Sequence, residues 1–469
     1  MLRRTEQSRA PTTPRSLGHV AVLGGSVAGL LTAHALAGHA ERVTVLERDH
    51  YPDEPVARSG VPQSPHTHVL LTSGIRALDE LLPELSRLLH RKGAPSLSVP
   101  ADLGVWQAGQ WVSRRHPSEP VVTASRPLLE HLIRHRVLER HPHIDVRTSS
   151  RVTGLLGDSQ RVAGAVFRER GAELGEQREI SADLVVDATG RTSGTPEWLD
   201  ALGVTAPPEE VLATGRAYAT CSFRTDSSEP IDRVSGFYIV PDAAQPLGAI
   251  LLPAEDDRMM VTLSGPRANP PPTDPDGFVE FARGLPHPAP HRWLRQAEPL
   301  TRPVGYRHTA NRRRRYDRAA GLPNGLLVVG DALCAFNPVY GQGISVAAMN
   351  AVALSRELAA SGSRLTTRRA QRAVLASARG AWDVATGADS PMPGAEGNAL
   401  RDGPADGLRD WYLERVRERV PGDPVVCRAF RDVLFLLAPP SSLLTSRRVL
   451  LRSLFHPRIP TPDELSTRD

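Results

Sequence analysis

The stretch VAVLGGSVAGLLTAHALAGHAERVTVLERD, Val20 to Asp49, leaves this chain few folds to choose from. Val20 to Leu23 read as a strand buried on both faces, Val27 to Ala37 as a helix, and Val43 to Leu46 as the next strand. A strand, a helix and a strand within about thirty residues make a βαβ unit, whose two strands must run parallel beneath the helix. Gly24 allows the tight turn out of the first strand, and Gly29 lets helix and sheet approach. The helix start then offers unpaired N–H groups to a pyrophosphate. Ser26 stands where a second glycine is usual; its side chain is small, and its hydroxyl can donate to a phosphate. Glu47 closes the second strand 18 residues after Gly29, where a carboxylate accepts both ribose hydroxyls and argues against a 2′-phosphate.

Two later stretches continue the pattern. ADLVVDATGRTSG is an apolar strand ending in Asp187, followed by a glycine turn with Gly190 and Arg191. GLLVVGDALCAFNPVYGQGISVAAMNAVAL, Gly325 to Leu354, runs a buried strand into Gly330-Asp331 and then, past Asn337-Pro338, into a helix opened by Gly343. A carboxylate such as Asp331 at a strand's carboxyl end is placed to accept hydrogen bonds from sugar-alcohol hydroxyls. The turn Pro338 to Gly343 brings backbone close to a flat ring, and the positive end of the following helix stabilises negative charge developing there.

These motifs, in this order, resemble the single-component flavoprotein monooxygenases of the para-hydroxybenzoate hydroxylase type. The resemblance implies that Gly24, Ser26, Gly29, Glu47 and Arg48 hold the ADP half of FAD, Asp331 the ribityl hydroxyls, and Pro338, Gly341 and Gly343 the isoalloxazine edge. The middle motif departs from the family's aspartate-glycine-serine-arginine pattern, since Ala188 and Thr189 separate Asp187 from Gly190. RSGVPQSPHTHVLL and TASRPLLEHLIRHRVLE further resemble the branch of squalene epoxidase-like and bacterial polyether epoxidase-like enzymes, and there Arg58 and Arg126 would lie along the pyrophosphate and ribityl chain. His66 and His68, one residue apart, share a face; no third ligand at zinc-like spacing accompanies them, so hydrogen-bonding or packing roles near the cofactor are expected.

The remaining sequence points to a second layer. Short apolar runs at 216–223, 236–240, 248–252 and 258–263, with another at 103–112, predict a mostly antiparallel substrate-facing sheet. Apolar residues at helical spacing predict a helical C-terminal region that packs over the substrate cleft. The expected fold is α/β (α+β overall): a Rossmann-like FAD-binding domain with a parallel sheet, a β-sheet substrate domain and C-terminal helices. The expected boundaries are a flexible leader over 1–17, a discontinuous FAD-binding domain over 18–90, 121–200 and 302–360, a substrate domain over 91–120 and 201–301, and helices over 361–469.

Composition narrows the function classes. The chain has 469 residues, 40% hydrophobic and 23% charged, without an apolar run long enough for a membrane span, and its leader lacks a signal-peptide core. Cys221, Cys334 and Cys427 are scattered, which predicts neither disulfides nor a metal site and fits a cytoplasmic protein. Net charge is +5, and Arg312 to Arg315 read as a solvated strand or loop without an aromatic platform, so no nucleic-acid partner is expected.

The resemblance implies bound FAD, reduction by transiently visiting NADH or NADPH, and O2 as co-substrate carried as a C4a-hydroperoxide. An alkene attacks such an oxygen without a general base, in keeping with the absence of an acid-base or nucleophilic constellation, so no catalytic side chain is named. The expectation is an epoxidase acting on a hydrophobic polyene or polyketide, free or carrier-bound. The alternatives are an aromatic hydroxylase, an isoprenoid double-bond reductase and a flavin-stabilised binding protein. Halogenation is discounted, since Lys92, the sole lysine, lies in the loop-like RKGAPS and no paired-tryptophan motif is present.

Overall fold

The βαβ unit forms at the places its pattern marks. In the computed structural model, which describes residues 17–169, 176–225, 234–319, 321–361, 366–401 and 403–462, strand Leu17–Leu23 leads into helix Val27–Ala37 and strand Ala40–Leu46. The leader lies outside the described residues except for Leu17. Five parallel strands make the sheet, in the order Leu326–Val328, Leu184–Asp187, Leu17–Leu23, Ala40–Leu46 and Ile144–Arg147. Leu23 pairs with Asp187 and Asp187 with Val328, so the three distant motifs end side by side. The helix Val27–Ala37 is apolar on all sides because it is covered on all sides, by the sheet and by helix Gly343–Ser361. Leu30, Leu31 and Leu36 are fully buried there, each contributing roughly 1.5–3 kcal/mol relative to exposure.

The second layer is a seven-stranded sheet in the order Val304–Tyr306, Ala217–Arg224, Arg258–Gly265, Gly248–Ala254, Gly236–Ile239, Leu103–Gln107 and Gln110–Trp111. All pairs are antiparallel except Gly236–Ile239 with Leu103–Gln107. Its register sets one row across four strands: Thr220 opposite Thr262, Thr262 opposite Ile250, Ile250 opposite Tyr238. The alternate residues Ala219, Cys221, Val261, Leu263, Leu251 and Phe237 turn to the other face, against helices Pro275–Phe281 and Ala289–Leu294.

Chain segments cross between layers at finer intervals than the sequence boundaries suggest. Ser96–Ser98 pairs with Pro120–Thr123 in a small separate sheet, and Val304–Tyr306 joins the large antiparallel one. The arginine run corrects an expectation. Arg313 pairs with Glu210 and lies over the Trp382 ring, Arg314 is 4% exposed and pairs with Glu209, and Arg315 joins Glu210 and Asp317. The run is an ion-paired strand, because its antiparallel neighbour Glu209–Leu212 supplies acids that lie far away in sequence.

The C-terminal helices pack Val416, Val426, Val433 and Val449 toward Leu103, Val105, Tyr238 and Ile250 of the large sheet. No described helix is long and apolar enough to cross a membrane.

Candidate active site

A cavity of about 220 Å³ lies where the carboxyl ends of the parallel strands face the Thr220–Tyr238 row of the second sheet. That placement is the usual one for ligands of open parallel sheets. On one side it is walled by Ser26, Val27 and Ala28 at the start of the first helix, by Ala188 to Arg191, and by Gly330 and Asp331. The first helix has no side-chain cap, so its leading N–H groups are left for a ligand. Gly24 has φ +95°, and a Cβ on Gly29 would sit 1.8 Å from the Gly24 carbonyl oxygen, so the turn depends on both glycines.

Beyond that helix start the polar groups are already paired with one another. Gly25 N–H donates to Glu47 Oε2 at 2.7 Å, and Asp49 N–H to Glu47 Oε1 at 2.9 Å. The Arg58 guanidinium meets Glu47 at 2.9 Å, Asp49 at 3.1 Å and Glu130 at 2.6 Å. Burial works against its charge, but Glu130 and Glu47 outweigh it and hold Arg58 more firmly protonated than usual. The Ser26 hydroxyl donates to Glu130 at 2.7 Å and accepts from Arg126 at 2.7 Å. Tyr51 donates to the Gly25 carbonyl, and Arg48 reaches the Gly60 carbonyl. Of the residues singled out from sequence, Ser26, Arg126, Asp331, Pro338, Gly341 and Gly343 line the cavity, whereas Gly24, Gly29, Glu47, Arg48 and Arg58 do not.

The opposite end is different. The Asp331 carboxylate, half-buried on the wall, has no hydrogen bond or ion pair among the described residues. Gln342 is 1% exposed, and its Oε1 lacks a partner. Gly341 adopts φ +61° at the end of the Pro338–Tyr340 turn, and Asn337 caps that turn. Arg191 holds the carbonyls of Ala310 and Phe336 at 2.6 and 2.7 Å, tying the middle motif to this turn. Asp187, fully buried, accepts from Thr189, Ser193 and Thr195, which makes it the anchor of its own loop.

Across the cavity stand Tyr218, Tyr238, Ile250, Thr262 and Tyr306, with His66 and His68 from the loop before Val69. Burial pushes His66 down to about 4, and burial with nearby Arg126 pushes His68 down to about 3, so both are neutral at physiological pH. His66 Nδ1 meets Thr220 Oγ1 at 2.8 Å, Thr220 meets Thr262 at 2.6 Å, and Thr262 meets Thr67 at 2.8 Å, while His66 Nε2 is buried without a partner. Burial also raises Tyr238 to about 12. The tyrosines went unmarked in the sequence reading; the strand alternation that puts Phe237 and Leu251 in the core is the signal that would have exposed them.

Residues 18–378 match the family model described as FAD binding domain. The chain belongs to this FAD-binding family. The Mycobacterium tuberculosis protein Rv3254 is 35% identical over 359 residues, 74% of each chain. Among solved structures, the p-nitrophenol 4-monooxygenase PnpA from Pseudomonas putida DLL-E4 aligns with a TM-score of 0.62 at 18% identity, covering 89% of this chain and 98% of its own. The flavin-dependent brominase Bmp2 aligns with a TM-score of 0.63 at 14% identity, covering 89% and 93%. At such identities these two establish the shared fold.

The residues present fit FAD. The half-buried Asp331 carboxylate is free to accept from a ligand, the buried Gln342 oxygen lacks a donor, Gly341 and Gly343 line the cavity, and the helix start at Val27 suits a pyrophosphate.

Proposed function

We propose that the chain is an FAD-dependent, NADH- or NADPH-consuming monooxygenase, and specifically an epoxidase that adds oxygen to one or more alkenes of a hydrophobic polyene or polyketide. The observation that carries this is the wall opposite the FAD turn. It combines Tyr238, Ile239, Pro241, Ala249 and Ile250 with two histidines held neutral, and Asp331 is the cavity's lone carboxylate among the described residues. Such a wall orients an apolar chain and excludes water, but it holds no acid or base poised near pH 7. Oxygen transfer to an alkene needs neither.

Bound FAD, once reduced, supplies the electrons and the activation of O2. In this proposal Asp331 and Gln342 would hold the cofactor's polar chain and ring edge, and Arg126 with the N–H groups of Val27 and Ala28 would take its phosphates. The helix Gly343–Ser361 starts on the cavity wall, and its positive end would stabilise negative charge on a ring bound there. Lys92 is exposed and absent from the lining, which further weakens a halogenase assignment.

A second reading, aromatic hydroxylation, draws on the chain from His66 through Thr220 and Thr262 to Thr67, which offers a path for a phenolic proton. One experiment separates the classes. The FAD-loaded protein, reduced without oxygen by NADH or NADPH, is mixed with isotopically labelled O2 and either linear polyenes or phenols, and the products are weighed by mass spectrometry. One labelled oxygen in a polyene is the expected result. A labelled phenol selects the hydroxylase, and a polyene gaining only two hydrogens selects a reductase. Failure of NADH and NADPH to reduce the flavin overturns the redox assignment.

A further inference from the structure

Helix Arg379–Asp389 ends in a carboxylate that is 2% exposed and lies beyond the family match at residue 378. Asp389 accepts from Tyr340 Oη at 2.6 Å, from Asn311 Nδ2 at 2.6 Å and from Asn337 Nδ2 at 3.0 Å. Among the described residues no lysine or arginine forms an ion pair with it. Three neutral donors therefore hold a buried acid against the turn Pro338–Tyr340.

A backbone N–H can only donate, and two of them fix the amides: Asn337 N–H points at Asn311 Oδ1 at 2.8 Å, and Val339 N–H at Asn337 Oδ1 at 3.4 Å. Both amide oxygens are thereby identified, and both NH2 groups fall toward Asp389. An amide flipped at Asn337 would set oxygen against carboxylate. Tyr218 Oη is bonded to the same Asn337 Oδ1, an acceptor, so the tyrosine must be the donor. A phenol has a single proton, so Tyr218, on the cavity wall, has only lone pairs left.

We infer that Asp389 is a positioning residue which, acting through Asn337, makes the Tyr218 hydroxyl an obligate hydrogen-bond acceptor in the cavity, so that the substrate carries an O–H or N–H donor at that point. Resting on the proposed oxygen-transfer role, this narrows the substrate to a hydroxyl- or amide-bearing one. A ring N–H of the cofactor offers the same chemistry, and the test distinguishes the two.

Phenol and its methyl ether, anisole, are titrated by calorimetry into oxidised FAD-loaded protein and into flavin-stripped protein, with no reductant present. The preference for phenol over anisole should be about fivefold to tenfold greater in the parent than in Tyr218→Phe, in both forms. Asp389→Asn should lower that preference toward the Tyr218→Phe value, and Asn337→Ser, which cannot bridge the two, should do the same if Asp389→Asn does not fold. A ratio is insensitive to the fraction of protein folded, so a purely structural Asp389 would lower the unfolding temperature and leave the preference intact, overturning the inference. An unchanged preference in Tyr218→Phe overturns it as well. A preference confined to flavin-stripped protein assigns the donor to the cofactor and overturns the substrate claim. None of these ratios depends on turnover, so failure of oxygen transfer would refute the proposed function separately.

Discussion

At the end of the cleft proposed to take the nucleotide, the nucleotide end, Arg58 already sits among Glu47, Asp49 and Glu130, and both Glu47 oxygens accept backbone N–H groups. At the end proposed to take the flavin, the flavin end, Asp331 and Gln342 line the cavity, and neither the Asp331 carboxylate nor Gln342 Oε1 has a partner among the described residues. One end is held together by its own charges and belongs to the scaffold as much as to the site. The other depends on a ligand to satisfy its polar groups. Substitutions at the two ends should therefore fail in different assays, one in the stability of the protein itself and the other in its grip on FAD.

The largest effect is expected from Arg58→Met. It leaves the buried Glu47 and Asp49 without their cation and Glu130 with Arg126 alone, and removing one partner of such a cluster costs about 3–5 kcal/mol. Urea unfolding should show this loss with and without FAD. A loss seen only in the FAD-loaded protein would break the comparison, because Arg58 would then be serving the cofactor rather than the scaffold.

Asp331→Ala should do the reverse. Its carboxylate makes no bond within the described protein, so the flavin-free form should unfold at the parent's denaturant concentration. FAD retention, followed by equilibrium dialysis, should weaken about tenfold to a hundredfold, the size of losing hydrogen bonds to a charged acceptor. Unchanged flavin content would refute the role of Asp331 in holding the cofactor.

Gln342→Leu should give a smaller and two-signed result. Removing a buried acceptor that has no partner stabilises the flavin-free protein by about 1 kcal/mol. The same change should weaken FAD binding several-fold. A lower stability without FAD would mean that Gln342 is satisfied by the scaffold, and the flavin end would then resemble the nucleotide end.

Much of the core of the parallel sheet was legible in sequence because it depends on local patterns. The helix Val27–Ala37 has the bounds its apolar run sets, and Asp331 stands in the short turn Gly330–Ala332 just past the strand Leu326–Val328. What the sequence hid depends on pairing across long separations. Glu209 and Glu210 turned the Arg312–Arg315 run from a solvated face into an ion-paired strand, and Glu130, on a helix remote in sequence, took up the Ser26 hydroxyl. Asp389 carried no local signal at all, since its meaning depends on two asparagines and a tyrosine brought to it by the fold. The C-terminal helices were readable as helices, and they pack on the cavity-lining Tyr238 and Ile250 of the large sheet, although no described residue beyond Ala347 itself lines the cavity.

His66 gives the mildest test, and it too belongs to the flavin end. Burial lowers this histidine from 6.5 to about 4, so between those values the unfolded chain binds a proton that the folded one refuses. Stability is therefore complete above about pH 6.5 and falls as the pH drops toward 4, and His66→Gln should remove this share of the loss. Between about pH 7.5 and pH 6 the share is no more than about 1 kcal/mol, read as the difference in urea midpoints between the parent and the variant at each pH. His34 and His141, also lowered by burial to about 4, remain in both proteins and cancel from that difference. An identical acid response in His66→Gln would mean that His66 already takes up its proton when folded, and the cavity wall facing FAD would then be charged in mild acid instead of neutral.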